Sequence, residues 1–271
     1  MDGTFKITLA YLKELGACRD GQRAFQKAFP DGGEYQEVLD RCAEEGRLDF
    51  AGWLFSHVGP TKDVRTFSED IIEPDKNIFF AGRLEFSGSV SVKRIKAGFG
   101  IEAGKGIKAS EGIQAGDGIQ AGWGIKAGFG IKAGFGIEAG EGIQAGEGIQ
   151  AGFGIEAGFG IEAGEGFEAG LGIQAGKGIQ AGWGIKAGWG IEAGWGIEAG
   201  WGIEAGKGIK AGFGIEAGEG IKAGCGYCVF AGLSVPMSSW ESFAVVTAKS
   251  KPNNLRSGYW KPLEGSDEKT Q

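Results

Sequence analysis

From Ile95 to Gly226 the chain is an unbroken run of 22 six-residue units, "IKAGFG", "IEAGKG" and their variants. Phe167 replaces one isoleucine and Ser110 one glycine. Repetition at a fixed short period is the signature of a solenoid, and it outranks any local propensity.

What each position tolerates says how a unit folds. The first position is isoleucine and the third alanine, while the second is only Glu, Lys or Gln. That alternation is a short strand with Ile and Ala turned inward. The fifth position accepts Phe, Trp, Glu, Lys, Asp, Leu or Cys. No dry core holds such a mixture, because an unpaired buried charge costs several kcal/mol, so this position points outward. Glycines on both sides of it suit a corner that needs positive φ or close backbone approach.

Stacking such coils in parallel pairs the backbone and buries the Ile and Ala ladders, so the expected fold is mainly β, a parallel β-helix. Two hexapeptides per coil give a flattened rod of about eleven coils and roughly 53 Å; three give a triangular rod of about seven coils and roughly 35 Å. The charges at the second position do not choose between them. A bundle of polyproline II helices also fits a small residue at every third position. It needs periodic reversals, since an unbroken run at ~3.1 Å per residue would extend about 400 Å, and no turn signal supplies them.

The repeat resembles that of hexapeptide-repeat left-handed β-helix proteins over roughly half the chain. Acyltransferases of that kind use a histidine as general base near a coil interface. The single histidine here is His57, outside the repeat, and the expectation for it is a partly buried helix end.

The flanks divide the chain further. Residues 1–60 carry "ITLAYLKELG", "GQRAFQKAF", "EYQEVLDRCAEEG" and "LDFAGWLFSHVG", with helical apolar spacing and stops at Gly16, Pro30, Gly46 and Gly59-Pro60. We expect a small α-helical domain of three or four helices, with Leu9, Leu12, Phe25, Phe29, Val38, Leu39, Leu48, Phe50, Trp53 and Leu54 as its core. So short a unit is marginal alone and is expected to dock on the first coil. Its pattern "LKELGAC…F…VLDRCAEEGRLDFAGWLF" resembles short N-terminal modules of uncharacterised bacterial and phage proteins, which implies a microbial or viral setting. Residues 61–77 read as a linker, 78–234 as solenoid with caps, and 235–271 as a tail holding one strand, "FAVVTAK", before polar residues that fray.

Composition narrows the function classes. The first residues show neither a secretory signal nor a membrane span, and four cysteines fit a reducing compartment, so a cytoplasmic, non-membrane protein is expected. A net charge of −7 argues against direct nucleic-acid binding and leaves open a basic protein partner or a chain that resembles nucleic acid. "CGYC", Cys225 to Cys228, has the spacing of a redox or zinc half-site but falls at a solenoid corner. The strings resembling GxGxxG are by-products of the repeat. We expect no enzyme activity, no metal and no cofactor.

The remaining candidates are Trp183, Trp189, Trp195 and Trp201. Either they fold over bare glycine backbone or they form an exposed aromatic band that meets a partner or a second copy. In a triangular rod only Trp183 and Trp201 share a corner. The sequence thus supports a non-enzymatic interaction protein that binds or inhibits a protein partner, with nucleic-acid mimicry, as in a phage inhibitor of host defence, as one form of it. The alternative is a structural, self-assembling solenoid. Ice binding and sugar binding are minor alternatives.

Overall fold

The computed structural model describes residues 5–263, so residues 264–271, the polar end of the expected tail, lie outside the described residues. Four helices open the chain: α1 (Leu9–Glu14), α2 (Arg19–Ala28), α3 (Tyr35–Glu44) and α4 (Leu48–His57). Thr8 Oγ caps α1 by accepting the Tyr11 N–H, and Glu34 and Glu37 close a capping box on α3. Gly16, Gly46 and Gly59 take positive φ just past helix ends, where a side chain would be strained. A small antiparallel pair, β1 (Lys6–Ile7) with β2 (Gly33–Glu34), ties the helices together.

The solenoid follows. Strands β3 (Val64–Phe67), β4 (Ile71–Phe80), β5 (Arg83–Phe86) and β6 (Val90–Ala97) build its first coils. Each later repeat then contributes one three-residue strand, from β7 (Ile101–Ala103) to β27 (Ile221–Ala223). β28 (Val229–Phe230), β29 (Val245–Ala248), β30 (Leu255–Ser257) and β31 (Tyr259–Pro262) close it, with a short helix α5 (Trp240–Phe243) inserted before β29.

Register decides the coil. Ile119 pairs with Ile101 and Ile137, Ile125 with Ile107 and Ile143, and Ile131 with Ile113 and Ile149, all parallel. Partners are eighteen residues apart, so three hexapeptides make one coil and the rod is triangular. Face I carries β3, β5, β7, β10 and every third strand to β25, then β28 and β30, eleven in all. Face II runs from the first half of β4 through β8 and β11 to β26, β29 and β31, and face III from the second half of β4 through β9 and β12 to β27. Eleven coils at ~4.8 Å give a rod of roughly 50 Å.

The rod is longer than 22 repeats supply because irregular segments add coils at both ends. Residues 64–67 and 71–80, inside the expected linker and just beyond it, are already strands; in the expected tail the "FAVVTAK" segment forms its strand at 245–248, and 255–257 and 259–262 add two more. These coils lack the hexapeptide because they end the stack: Leu255 and Trp260 lie half-buried across the last layer of the core.

Ile and Ala face inward along every repeat, and the second residue faces out. The ladder does not stop at the corners. Trp123 N–H donates to Lys105 O at 3.1 Å and Trp201 N–H to Trp183 O at 2.9 Å, so corner backbone pairs with the coil before it as the strands do. This continuity fixes the fourth-position glycine. A Cβ on Gly152 would lie 2.0 Å from Gly134 O, and one on Gly116 2.0 Å from Gly98 O. The sixth-position glycines are freer, with Gly154 reaching Gly172 O only at 3.4 Å. Close approach, not positive φ, is what the repeat glycines serve, since only Gly226, at the end of the last unit, has φ in the left-handed region. Ser110 fits because its N–H pairs with Val92 O, where β6 turns the corner in unbroken strand without glycine.

The helical domain docks on the first coil through α3 and β4. Phe79 points away from the solenoid core and is buried among Tyr35, Val38 and Leu39. The Gln36 amide donates to Phe79 O at 2.8 Å and accepts the Ala81 N–H at 3.0 Å, completing an open strand edge as a neighbouring strand would. Asp40 takes a two-pronged pair from Arg65 at 3.2 and 3.3 Å. Of the expected core, Leu12, Phe25, Val38, Leu39 and Leu54 are buried, while Leu9, Phe29, Leu48, Phe50 and Trp53 are half-buried around them.

Candidate interaction surfaces

Three faces and three corners carry everything the solenoid shows to solvent. The tryptophans lie on all three corners: Trp183 and Trp201 between faces II and III, Trp189 between III and I, and Trp195 between I and II. They are 58, 64, 51 and 54 % exposed respectively. About half or more of each indole stays open to solvent, so none is sealed against the glycine backbone. Each leans on its neighbour eighteen residues away: Trp183 stacks on Trp201 at 6.1 Å, Lys207 Nζ sits 4.0 Å over Trp189, and Lys177 Nζ 5.1 Å over Trp195. Phe135 stacks on Phe153 at 4.6 Å on the III/I corner in the same way.

The band is wider than four tryptophans. Trp123, Phe129, Phe135, Phe153 and Phe159 are exposed to a similar degree, and Phe213 somewhat less. The corners therefore form partly aromatic ridges, and the flat faces between them are troughs. The largest, over face II, encloses about 1310 Å³ and runs from Ser89 to Phe243.

Sorted by face, the second-position residues separate by charge. Face I stacks Glu85, Glu102, Gln120, Glu138, Glu156, Gln174, Glu192 and Lys210 in register. It is an acidic row. Face II reads Lys108, Lys126, Gln144, Glu162, Gln180, Glu198 and Glu216, basic at one end and acidic at the other. Face III alternates, with Lys186 between Glu168 and Glu204 and Lys222 Nζ 3.4 Å from Glu204. The sequence shows these residues but not the rows, because the rows exist only once the eighteen-residue phase is known.

The chemical candidates do not assemble. His57 is exposed rather than partly buried; its ring stacks on Trp53 at 4.2 Å with Nδ1 2.9 Å from Trp53 O. The cause is position, since the last turn of α4 leaves the domain surface there. Cys225 is exposed at a corner and Cys228 is half-buried just before β28, both free thiols. Cys18 and Cys42 lie in the helical domain, where burial pushes the Cys42 thiol up to about 11. Among the described residues no three His, Cys, Asp or Glu side chains converge as a metal site. The helical domain encloses an apolar cavity of about 200 Å³ lined by Leu12, Phe25, Phe29, Phe50 and Trp53. The arginines at its rim are already neutralised, Arg41 by Glu45 and Arg47 by Asp49.

Among the described residues no helix is long and apolar enough to cross a membrane. Residues 1–58 match the family described as the YdhT N-terminal domain. No curated protein and no solved structure matches the chain.

Proposed function

We propose that the protein is a non-enzymatic interaction rod whose face I binds a basic segment of a protein partner. The observation that carries this is the acidic row from Glu85 to Glu192, in which Glu138 lies directly beside Glu156 and Glu85 beside Glu102. Like charges at strand spacing repel, and a cationic chain laid along the trough relieves them. The ridges add apolar contact, and the rod's own Lys207 on Trp189 is an internal example of an ammonium resting on these rings.

Nucleic-acid mimicry is the weaker form of the idea. Five glutamates over seven coils give roughly one charge per 6 Å, against about one per 1.7 Å of duplex axis. The balanced charges of face III also work against a uniformly negative potential.

Affinity capture from a microbial lysate at low and high salt tests the reading. The full chain is compared with Glu138→Gln/Glu156→Gln and with the four tryptophans changed to serine. A basic partner held by the full chain at low salt, and lost by the glutamine variant, is the expected result. Equal capture by the glutamine variant would remove face I from the interaction.

A further inference from the structure

We propose that face II is a self-complementary interface through which two copies of the chain pack antiparallel about a two-fold axis at Glu162. The seven regular strands of this face, β8 to β26, have β17 and its outward Glu162 at their centre. A two-fold axis there reverses the row onto itself. Lys108 then meets the partner's Glu216, Lys126 the partner's Glu198, and Gln144 the partner's Gln180, each twice. Within this row the one like-charged contact is Glu162 with its own copy.

The I/II corner obeys the same axis without adjustment. Its column is Lys105, Trp123, Glu141, Phe159, Lys177, Trp195 and Phe213, one residue per coil. Reversed about Phe159, Trp123 faces Trp195, Glu141 faces Lys177, Lys105 faces Phe213, and Phe159 faces itself. The trough's ends are reciprocal as well. Phe243, 57 % exposed, projects at one end, and the other end is lined by Ser89 and Ser91.

An independent observation is that face II is electrostatically unsatisfied within one chain. Lys108 is stacked on Lys126, and Glu198 on Glu216, placing like charges side by side. Among the described residues none of these four makes an ion pair, whereas Lys210 on face I pairs with Glu192 and Lys222 on face III with Glu204. Neither other face reverses as well: about its middle strand, face I gives one opposite pair, Glu102 with Lys210, and face III one, Lys132 with Glu204. The helical domain leaves face II clear, because α4 lies toward face III, with Phe55 under Lys96.

The size suffices. Seven coils at ~4.8 Å and a side of about five residues at ~3.3 Å give a patch of about 34 by 17 Å. That buries roughly 1,100 Å² in total, just above the ~1,000 Å² a specific interface needs. Closed two-fold pairing is also the commonest symmetry of soluble assemblies. In this dimer both copies of face I lie on one side, free for a partner.

Sedimentation equilibrium on the full chain tests the proposal, with circular dichroism confirming that each variant keeps its strands. A dimer is expected. Lys126→Glu should weaken it about tenfold or more, because two attractive pairs become repulsive, and Lys126→Glu/Glu198→Lys should restore it. Glu162→Gln should tighten it, and Lys132→Glu on face III should leave it unchanged. A monomer up to about 100 µM, a ladder of species growing with concentration, or a dimer indifferent to the charge reversal would overturn the proposal. Glu138→Gln/Glu156→Gln leaves this dimer intact, so failure of face I as a partner site is read separately.

Discussion

Two glycines on either side of Phe153 should respond to the same substitution in opposite ways. A methyl group on Gly152 would stand 2.0 Å from Gly134 O, whereas side-chain β-carbons keep at least 3.0 Å from such atoms. The corner must open by about 1 Å. That stretches the Gly152 N–H bond to Ala133 O, now 3.1 Å, and the Phe153 N–H bond to Phe135 O, now 3.2 Å, past useful length. Two weakened hydrogen bonds at about 1 kcal/mol each, with about 1–3 kcal/mol of overpacking, put Gly152→Ala near 3–5 kcal/mol destabilising. Gly154→Ala meets Gly172 O at an ordinary 3.4 Å and has no positive φ to lose. It should be neutral or stabilising by up to about 1 kcal/mol, through the unfolded chain. Solenoids need not unfold in two states, so the assay is amide hydrogen exchange read coil by coil, supported by urea unfolding. In Gly152→Ala, protection should fall most in the coils holding residues 133–153. Equal effects of the two substitutions, or a Gly152→Ala change within about 0.5 kcal/mol, would refute the close-approach argument.

A double-mutant cycle on Trp183 and Trp201 should give a coupling of about 0.5–1.5 kcal/mol from their stacked rings, while a cycle on Trp189 and Trp195, on different corners, should give none. Gln36→Ala should cost about 1–3 kcal/mol in docking of the helical domain by stripping Phe79 O and Ala81 N–H of their partner, seen as faster exchange at Ala81 with the central coils unchanged. Burial holds the Cys42 thiol up at about 11 against a reference of 9.0. A raised value favours the neutral form in the fold, so this contribution is complete below pH 9 and fades as pH climbs through 11. Alkylation followed by mass spectrometry should therefore label exposed Cys18 and Cys225 well before Cys42 as pH is raised, and simultaneous labelling would contradict the burial.

Much of the fold was legible in the residues themselves. Four helices formed where "ITLAYLKELG" and its successors suggested, because apolar spacing and the glycines at 16, 46 and 59 act locally. The strand-and-corner division of each hexapeptide was equally readable, since only an inward site demands Ile and only an outward one accepts Glu and Trp alike. The outermost strands were not legible. "VRTF" and "LRS" carry no repeat, and become strands only because an existing edge offers them hydrogen bonds.

The candidate surfaces divide along the same line. By itself the sequence determined the solenoid, its inward ladders, its outward aromatics and the acidic excess, because each follows from what one position tolerates. Tertiary structure alone decided that the coil holds three hexapeptides, that Trp183 leans on Trp201, and that glutamates gather on face I while face II runs from lysine to glutamate. The physical reason is the eighteen-residue register. Residues three repeats apart become neighbours at one strand spacing, and the period of six, visible in the sequence, does not say how many repeats close the coil.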